Sequence, residues 1–206
     1  MNESKEQKQD PNLLTKLESQ FAEKILASSQ IDSNEIEIRV AAESLIEVVT
    51  ALKEDPELAF DVLINVTAVD YMDSNFMSRP VTERFDLVYN FLSVDKLCRL
   101  RLKLAVSETQ AEVSTLTGLY ESANFMEREV WDMYGIKFKD HPDLRRILMY
   151  DEFEGHPLRK DYPVQGKQPR IEMRHPEVSN TARLMQRPDL VQINKSKEAN
   201  PKGLSN

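Results

Sequence analysis

The residues best equipped for chemistry lie in "GHPLRKDYP", Gly155 to Pro163. His156, Lys160, Asp161 and Tyr162 are side-chain types that move protons. Arg159 is the type that holds a carboxylate in a planar two-point bond. A similar run, "HPDLRR", begins at His141 and carries Arg145 and Arg146. The prolines at 157 and 163 remove chain freedom in advance, which lowers the entropy cost of being held. Both runs are therefore read as extended contact strips, and what they touch, whether a substrate, a cofactor or another protein, is open at this point. Two alternatives stay open: the strips strap the chain to its own domain, or His156, Asp161 and Tyr162 relay protons.

Much other chemistry is excluded by residue supply. The five glycines, at 118, 135, 155, 166 and 203, are never closer than eleven residues. Neither a GxGxxG turn nor a GxxxxGK loop can be built, so nucleotide or flavin binding of the usual kinds is not expected. Iron–sulfur clusters need about four thiolates, and Cys98 is the single cysteine. His141, His156 and His175 are scattered, each precedes proline, and none forms an i, i+4 pair. No metal site is expected. A GxSxG elbow is absent, and no carboxylate pair stands out for acid–base work; "DEFE" at Asp151 to Glu154 reads as a solvated or contact-making turn.

Several elements must position these strips. Leu14, Leu17, Phe21 and Ile25 recur at helical spacing, which predicts a first helix from Pro11 to about Ser28. "EIEIRV" alternates, placing Ile36, Ile38 and Val40 inward and Glu35, Glu37 and Arg39 toward water. Leu45, Val48, Val49 and Leu52 return to helical period and stop before Pro56. "FDVLINVTAVDY" is apolar and β-branched, which predicts a central strand covered on both faces. "ERFDLVYNFLSV" and "KLCRLRLKLAV" make an antiparallel pair, with Cys98, Leu100, Leu102, Leu104 and Val106 inward. Asn124 is expected to cap a helix over Phe125 to Tyr134, with Glu127 in the capping-box position. Met126, Val130 and Met133 form its apolar stripe, Arg128, Glu129 and Asp132 its charged face, and Gly135 its end.

These elements predict an α+β fold: a mixed, mainly antiparallel sheet with helices packed on one face, then a long extended C-terminal tail. The expected divisions are a disordered N-terminus over 1–10, an α+β domain over 11–135, contact strips over 136–163 and a basic tail over 164–206. Net charge is −8, yet from Lys167 onward eight basic residues face four acidic ones. The acidic body argues against nucleic-acid binding, and aromatic residues for base stacking are absent after Tyr162. The tail is read either as a solvated end or as an arm on an acidic partner. No apolar run approaches the roughly 20 residues of a membrane span, and one cysteine fits a reducing compartment.

The run "EREVWDMYGIKFKDHPDLRRIL" followed by "DEFEGHPLRKDYP" resembles the signature of a known family. It is the thirty-kilodalton-type subunit of respiratory complex I, the proton-translocating NADH:quinone oxidoreductase. Glu127-Arg128-Glu129, Asp132, His141, Arg145, Ile147 and Leu148 fall in the order of that pattern, and the likeness spans roughly 41–163. The resemblance implies a structural subunit of the peripheral arm, with the enzyme activity belonging to the assembly and none expected of the isolated chain. It implies no cofactor in this chain; NADH, FMN, iron–sulfur clusters and quinone would sit in other subunits. Its partners would be the large subunit shaping the quinone cavity and the small subunit that holds the last cluster. Membrane association would be indirect, on the cytoplasmic side of a bacterial inner membrane. The interface residues would be Glu127, Arg128, Glu129, Asp132, His141, Arg145, Arg146, His156, Arg159, Lys160, Asp161 and Tyr162. The alternative is a homologous subunit of a membrane-bound hydrogenase or other-donor quinone oxidoreductase; rivals of other classes are a stand-alone enzyme and a nucleic-acid-binding arm.

Overall fold

The computed structural model describes residues 13–72, 83–165 and 168–169. The expectations for residues 1–10, for a helix start at Pro11, for His175 and for nearly all of the 164–206 tail lie outside them. Five strands form the main sheet: β1 (Ile25–Asp32), β2 (Glu35–Val40), β3 (Val62–Asp70), β4 (Phe85–Ser93) and β5 (Cys98–Val106). Their order is β1-β2-β5-β4-β3, and only β2 against β5 is parallel. The parallel pair requires the chain to leave β2, cross through α2 (Leu45–Glu54), build the β3–β4 hairpin on the far side, and return. A short parallel pair, β6 (Glu112–Ser114) with β7 (Lys137–Lys139), brackets α3 (Ala123–Tyr134).

Alternation in the strands separates the two sheet faces. In register, Ile36, Ile38 and Val40 neighbour Leu100, Leu102 and Leu104, which neighbour Phe91, Tyr89 and Leu87. The same row ends on Leu63, Val66 and Ala68. Leu13 and Leu17 of α1 (Leu13–Gln20), Leu45, Val48, Val49 and Leu52 of α2, and Ala123 and Val130 of α3 join this core. Cys98 belongs to it too, and burial raises its thiol pKa, so the cysteine is a core residue as expected. The other face is polar: Arg101 pairs with Glu35 and Glu37, and Lys103 with Glu37.

Four local expectations change. The first helix ends at Gln20, and Ile25 opens β1 instead of closing a helical stripe. Backbone turns at Phe21–Ile25 reverse the chain, and the Asp32–Asn34 corner then sends it back as β2. "FDVLINVTAVDY" is an edge strand, with Val62, Ile64 and Val69 exposed; β-branched content signals a strand but not its rank in the sheet. Arg39 turns from water into a buried two-point pair with Asp86, at 2.9 and 2.8 Å. Helix α3 starts at Ala123 without a side-chain cap, so Asn124 lies inside it and Glu127 faces the core.

Candidate functional site

α3 ends because Gly135 adopts the left-handed conformation (φ 76°) and donates its N–H to Trp131 O. Beyond that bond, the last carbonyls of a helix have no partner within the helix. "GHPLR" supplies them. His156 Nδ1–H donates to Asp132 O at 3.0 Å, Leu158 N–H to Met133 O at 3.1 Å, and Arg159 Nε–H to Tyr134 O at 2.5 Å. The approach is so close that a Cβ on Gly135 would sit 2.5 Å from the His156 ring and 2.8 Å from Arg159. Burial lowers the His156 pKa, aided by the nearby Arg159 and Arg146 charges. The Arg159 guanidinium lies 5.3 Å over the Phe85 ring. Arg159 is thus held by a helix terminus and a ring, where the sequence suggests a carboxylate.

Asp132, in the last turn of α3, organises the first strip. Its Oδ2 accepts three successive N–H groups, from Ile147 (3.2 Å), Leu148 (2.9 Å) and Met149 (2.9 Å). Its Oδ1 accepts Arg146 Nη1–H at 2.5 Å. Burial pushes the Asp132 carboxyl up, but the Met149 N–H, Arg146, and the Leu148 and Ile147 N–H groups hold it below the usual carboxylate range. Arg146 also donates to Phe153 O and Gly155 O, at 2.9 and 3.0 Å, with Trp131 and Phe153 flanking its guanidinium. Arg128 donates to the carbonyls of Arg145 and Arg146. The segment 141–163 is therefore a succession of turns fastened onto α3, not a pair of straight extended strips.

The second strip is also tied to the sheet. Asp161 accepts Arg84 Nη2–H at 2.7 Å, and the Lys160 N–H donates to Asp70 Oδ2 at 2.9 Å. Arg84 in turn pairs with Asp70 at 2.9 Å and with Glu108. Burial raises the Asp70 pKa, yet Arg84 and the N–H groups of Lys160 and Met72 bring it down to about 2. Gly155, at φ 87°, lets Tyr162 pack within 3.0 Å of where its Cβ would be, and Tyr162 stacks on Phe153 at 6.0 Å.

At the start of α3, Glu127 is fully buried and accepts the Leu116 N–H at 2.8 Å, with Thr115 Oγ1 2.5 Å from its other oxygen. His141 Nε2–H donates to Asn124 O, and its Nδ1 accepts the Asp143 N–H, both at 3.1 Å. Of the twelve residues singled out from the sequence, all gather around α3 or the strips that cap it. Glu127, Asp132, Arg146, His156 and Arg159 turn their polar atoms inward, whereas Glu129, Arg145, Lys160 and Asp161 reach the surface. Asp70, Arg84 and Thr115 escaped sequence reasoning. A charge closing an apolar strand run, as in "VTAVD", is the one signal that marked Asp70.

The fastened segment and the residue after it leave several apolar side chains exposed. Ile147, Leu148, Tyr150, Leu158 and Val164 are all exposed, Leu148 and Leu158 by more than half (57% and 52%), and Asp151, Glu152 and Glu154 lie exposed among them. Among the described residues, no group of three or more His, Cys, Asp or Glu could hold a metal, and no helix is long and apolar enough to cross a membrane.

Residues 38–168 match the family described as respiratory-chain NADH dehydrogenase, 30 Kd subunit. The matching NADH-quinone oxidoreductase subunit of Trichlorobacter lovleyi is 45% identical over 151 residues, covering 73% of this chain and 88% of that protein. Its counterpart in Geobacter sulfurreducens is 42% identical over 151 residues, again covering 73% and 88%. A solved trypsin-resistant fragment of Nqo5 superposes with TM-score 0.54 at 29% identity, covering 63% of this chain and 97% of the fragment. A chain of an archaeal membrane-bound sulfane sulfur reductase shares the fold, with TM-score 0.62 at 22% identity, covering 75% and 85%.

Proposed function

The chain belongs to the 30 Kd subunit family of respiratory-chain NADH dehydrogenase, and we propose that it works there as a brace in the peripheral arm, supporting electron transfer from NADH to quinone by its neighbours. Arg146, His156 and Arg159, with the N–H groups of Ile147, Leu148, Met149 and Leu158, are spent on α3, and the Lys160 N–H and Asp161 on Asp70 and Arg84. What the segment exposes is a set of apolar side chains, Ile147, Leu148, Tyr150 and Leu158, with the acidic Asp151, Glu152 and Glu154 exposed among them, on a backbone tied to α3. A surface fixed beforehand loses little entropy on docking, which suits a permanent assembly. That exposed apolar set is the observation that carries the proposal.

The partners fitting this reading are the large subunit shaping the quinone cavity and the small subunit that holds the last cluster. NADH, FMN, the iron–sulfur clusters and quinone would be held by other subunits, because one cysteine cannot furnish a cluster and no clustered glycines cradle a nucleotide. The place of work is the cytoplasmic side of a bacterial inner membrane, reached through the complex. Identities above 40% with NADH-quinone oxidoreductase subunits favour this donor over the sulfur reductase, with which only the fold is shared. Glu129, Arg145, Lys160 and Asp161 would complete the contact at its polar rim. The test is incorporation of Leu148→Ser and Leu158→Ser chains into the complex, followed on native gels of detergent-solubilised membranes. Both substitutions should leave melting of the isolated chain unchanged while depleting the assembled complex. Normal incorporation of the double variant refutes the docking surface.

A further inference from the structure

Glu127 is a carboxyl wholly inside the protein, and among the described residues no lysine or arginine pairs with it. The elements packed around it bring uncharged groups. From the turn after β7 comes His141, whose Nε2 lies 4.0 Å from Glu127 Oε2. That ring donates from Nε2 to Asn124 O and accepts on Nδ1 from Asp143, the arrangement of a neutral imidazole. From β4 comes the Tyr89 hydroxyl, fully buried with no hydrogen-bond partner among the described residues. From the 115–117 loop come the Leu116 N–H and two threonine hydroxyls.

Thr115 has a single hydroxyl proton, yet its Oγ1 lies 3.0 Å from Thr117 Oγ1 and 2.5 Å from Glu127 Oε2, and also accepts the Thr117 N–H at 3.2 Å. A proton on Glu127 Oε2 resolves this arrangement: the carboxyl donates to Thr115, and Thr115 donates onward to Thr117. We propose that Glu127 is a proton-operated latch, fastening the 115–117 loop to α3 as a neutral acid and loosening that junction when it ionises. The bare carboxylate would stand buried without a counter-charge, beside a tyrosine oxygen and a neutral ring, which is costly.

Burial raises the Glu127 pKa from 4.5 to about 7, more than the Thr115 and Leu116 bonds lower it. A carboxyl raised on folding gives stability that is complete below its unfolded value and lost as pH climbs through its folded value. The full-length chain and Glu127→Gln, a permanently neutral isostere, are compared by chemical denaturation across this range. The ratio of their folding constants should fall about tenfold per pH unit between roughly pH 5 and 7, then level. Amide protection at Leu116 should drop in the same span for the parent chain only. Infrared spectra of the parent chain give a reading that needs no variant: a protonated-carboxyl C=O band present at pH 6 and gone by pH 8. Parallel denaturation curves overturn the latch, as does the lack of that band.

Discussion

Replacing Asp132 by Asn tests whether the fastening of 145–149 onto α3 is a real energetic unit. The substitution keeps shape and removes charge. In the parent chain one oxygen takes three N–H groups and the other takes Arg146. An Asn side chain has only one acceptor oxygen, so it must turn its NH2 toward either the N–H trio or the guanidinium. With the oxygen kept on the trio, Arg146 loses a charge-assisted bond of about 1.5–3 kcal/mol and the trio weakens from ionic to neutral acceptance. Breaking a buried pair from one side costs about 3–5 kcal/mol in general. Arg146 keeps carbonyl acceptors at Phe153 and Gly155, so the lower end, about 3 kcal/mol, is expected. For a folded body near this size that amounts to roughly 6–12 °C in melting temperature. Trp131, the single tryptophan, lies 5.8 Å from the Arg146 guanidinium and reports urea unfolding at the site. Arg146→Met in a double-mutant cycle should recover about 2 kcal/mol of coupling. If Asp132→Asn melts within 1 °C of the parent and the amides of Ile147, Leu148 and Met149 keep their exchange protection, the unit does not exist.

Gly135→Ala should cost at least ~2 kcal/mol, since it adds left-handed strain and drives a methyl into the His156 ring; thermal melting checks this, and unchanged stability would mean the "GHPLR" cap is not seated as described. Asp70, held at about 2 against an ordinary 3.8, contributes stability that is full above the unfolded value and lost as pH falls toward 2. Asp70→Asn should therefore lower stability at neutral pH by roughly 2 kcal/mol and flatten the acid limb between about pH 4 and 2. Denaturation curves of equal steepness in acid would contradict it.

The parts of this fold that were legible in the sequence are those that depend on near neighbours. Alternation in "CRLRLKLAV" marks one buried and one wet face because successive side chains must point apart. The α2 stripe and the helix-ending glycine at 135 are equally local. What stayed hidden is non-local or belongs to the backbone. Whether "VLINVTAVD" lies at the edge or the centre is decided by which strand pairs beyond it, and its own residues do not record that. Arg39 looks solvated until Asp86, on β4 across the intervening β5, is placed to meet it. The hardest case is "GHPLRKDYP". Its charges and prolines suggest a foreign surface, yet its first acceptors are the carbonyls of Asp132, Met133 and Tyr134. Backbone acceptors have no letter in the sequence, so a cap delivered from 24 to 25 residues downstream resembles a binding motif with its ligand missing. Both descriptions hold together once the exposed apolar residues are considered. With Arg146, His156 and Arg159 turned toward α3, Leu148, Tyr150 and Leu158 are left exposed. On the docking role proposed above, the same fastening that makes the segment part of its own domain would make it a surface for a neighbouring protein to use.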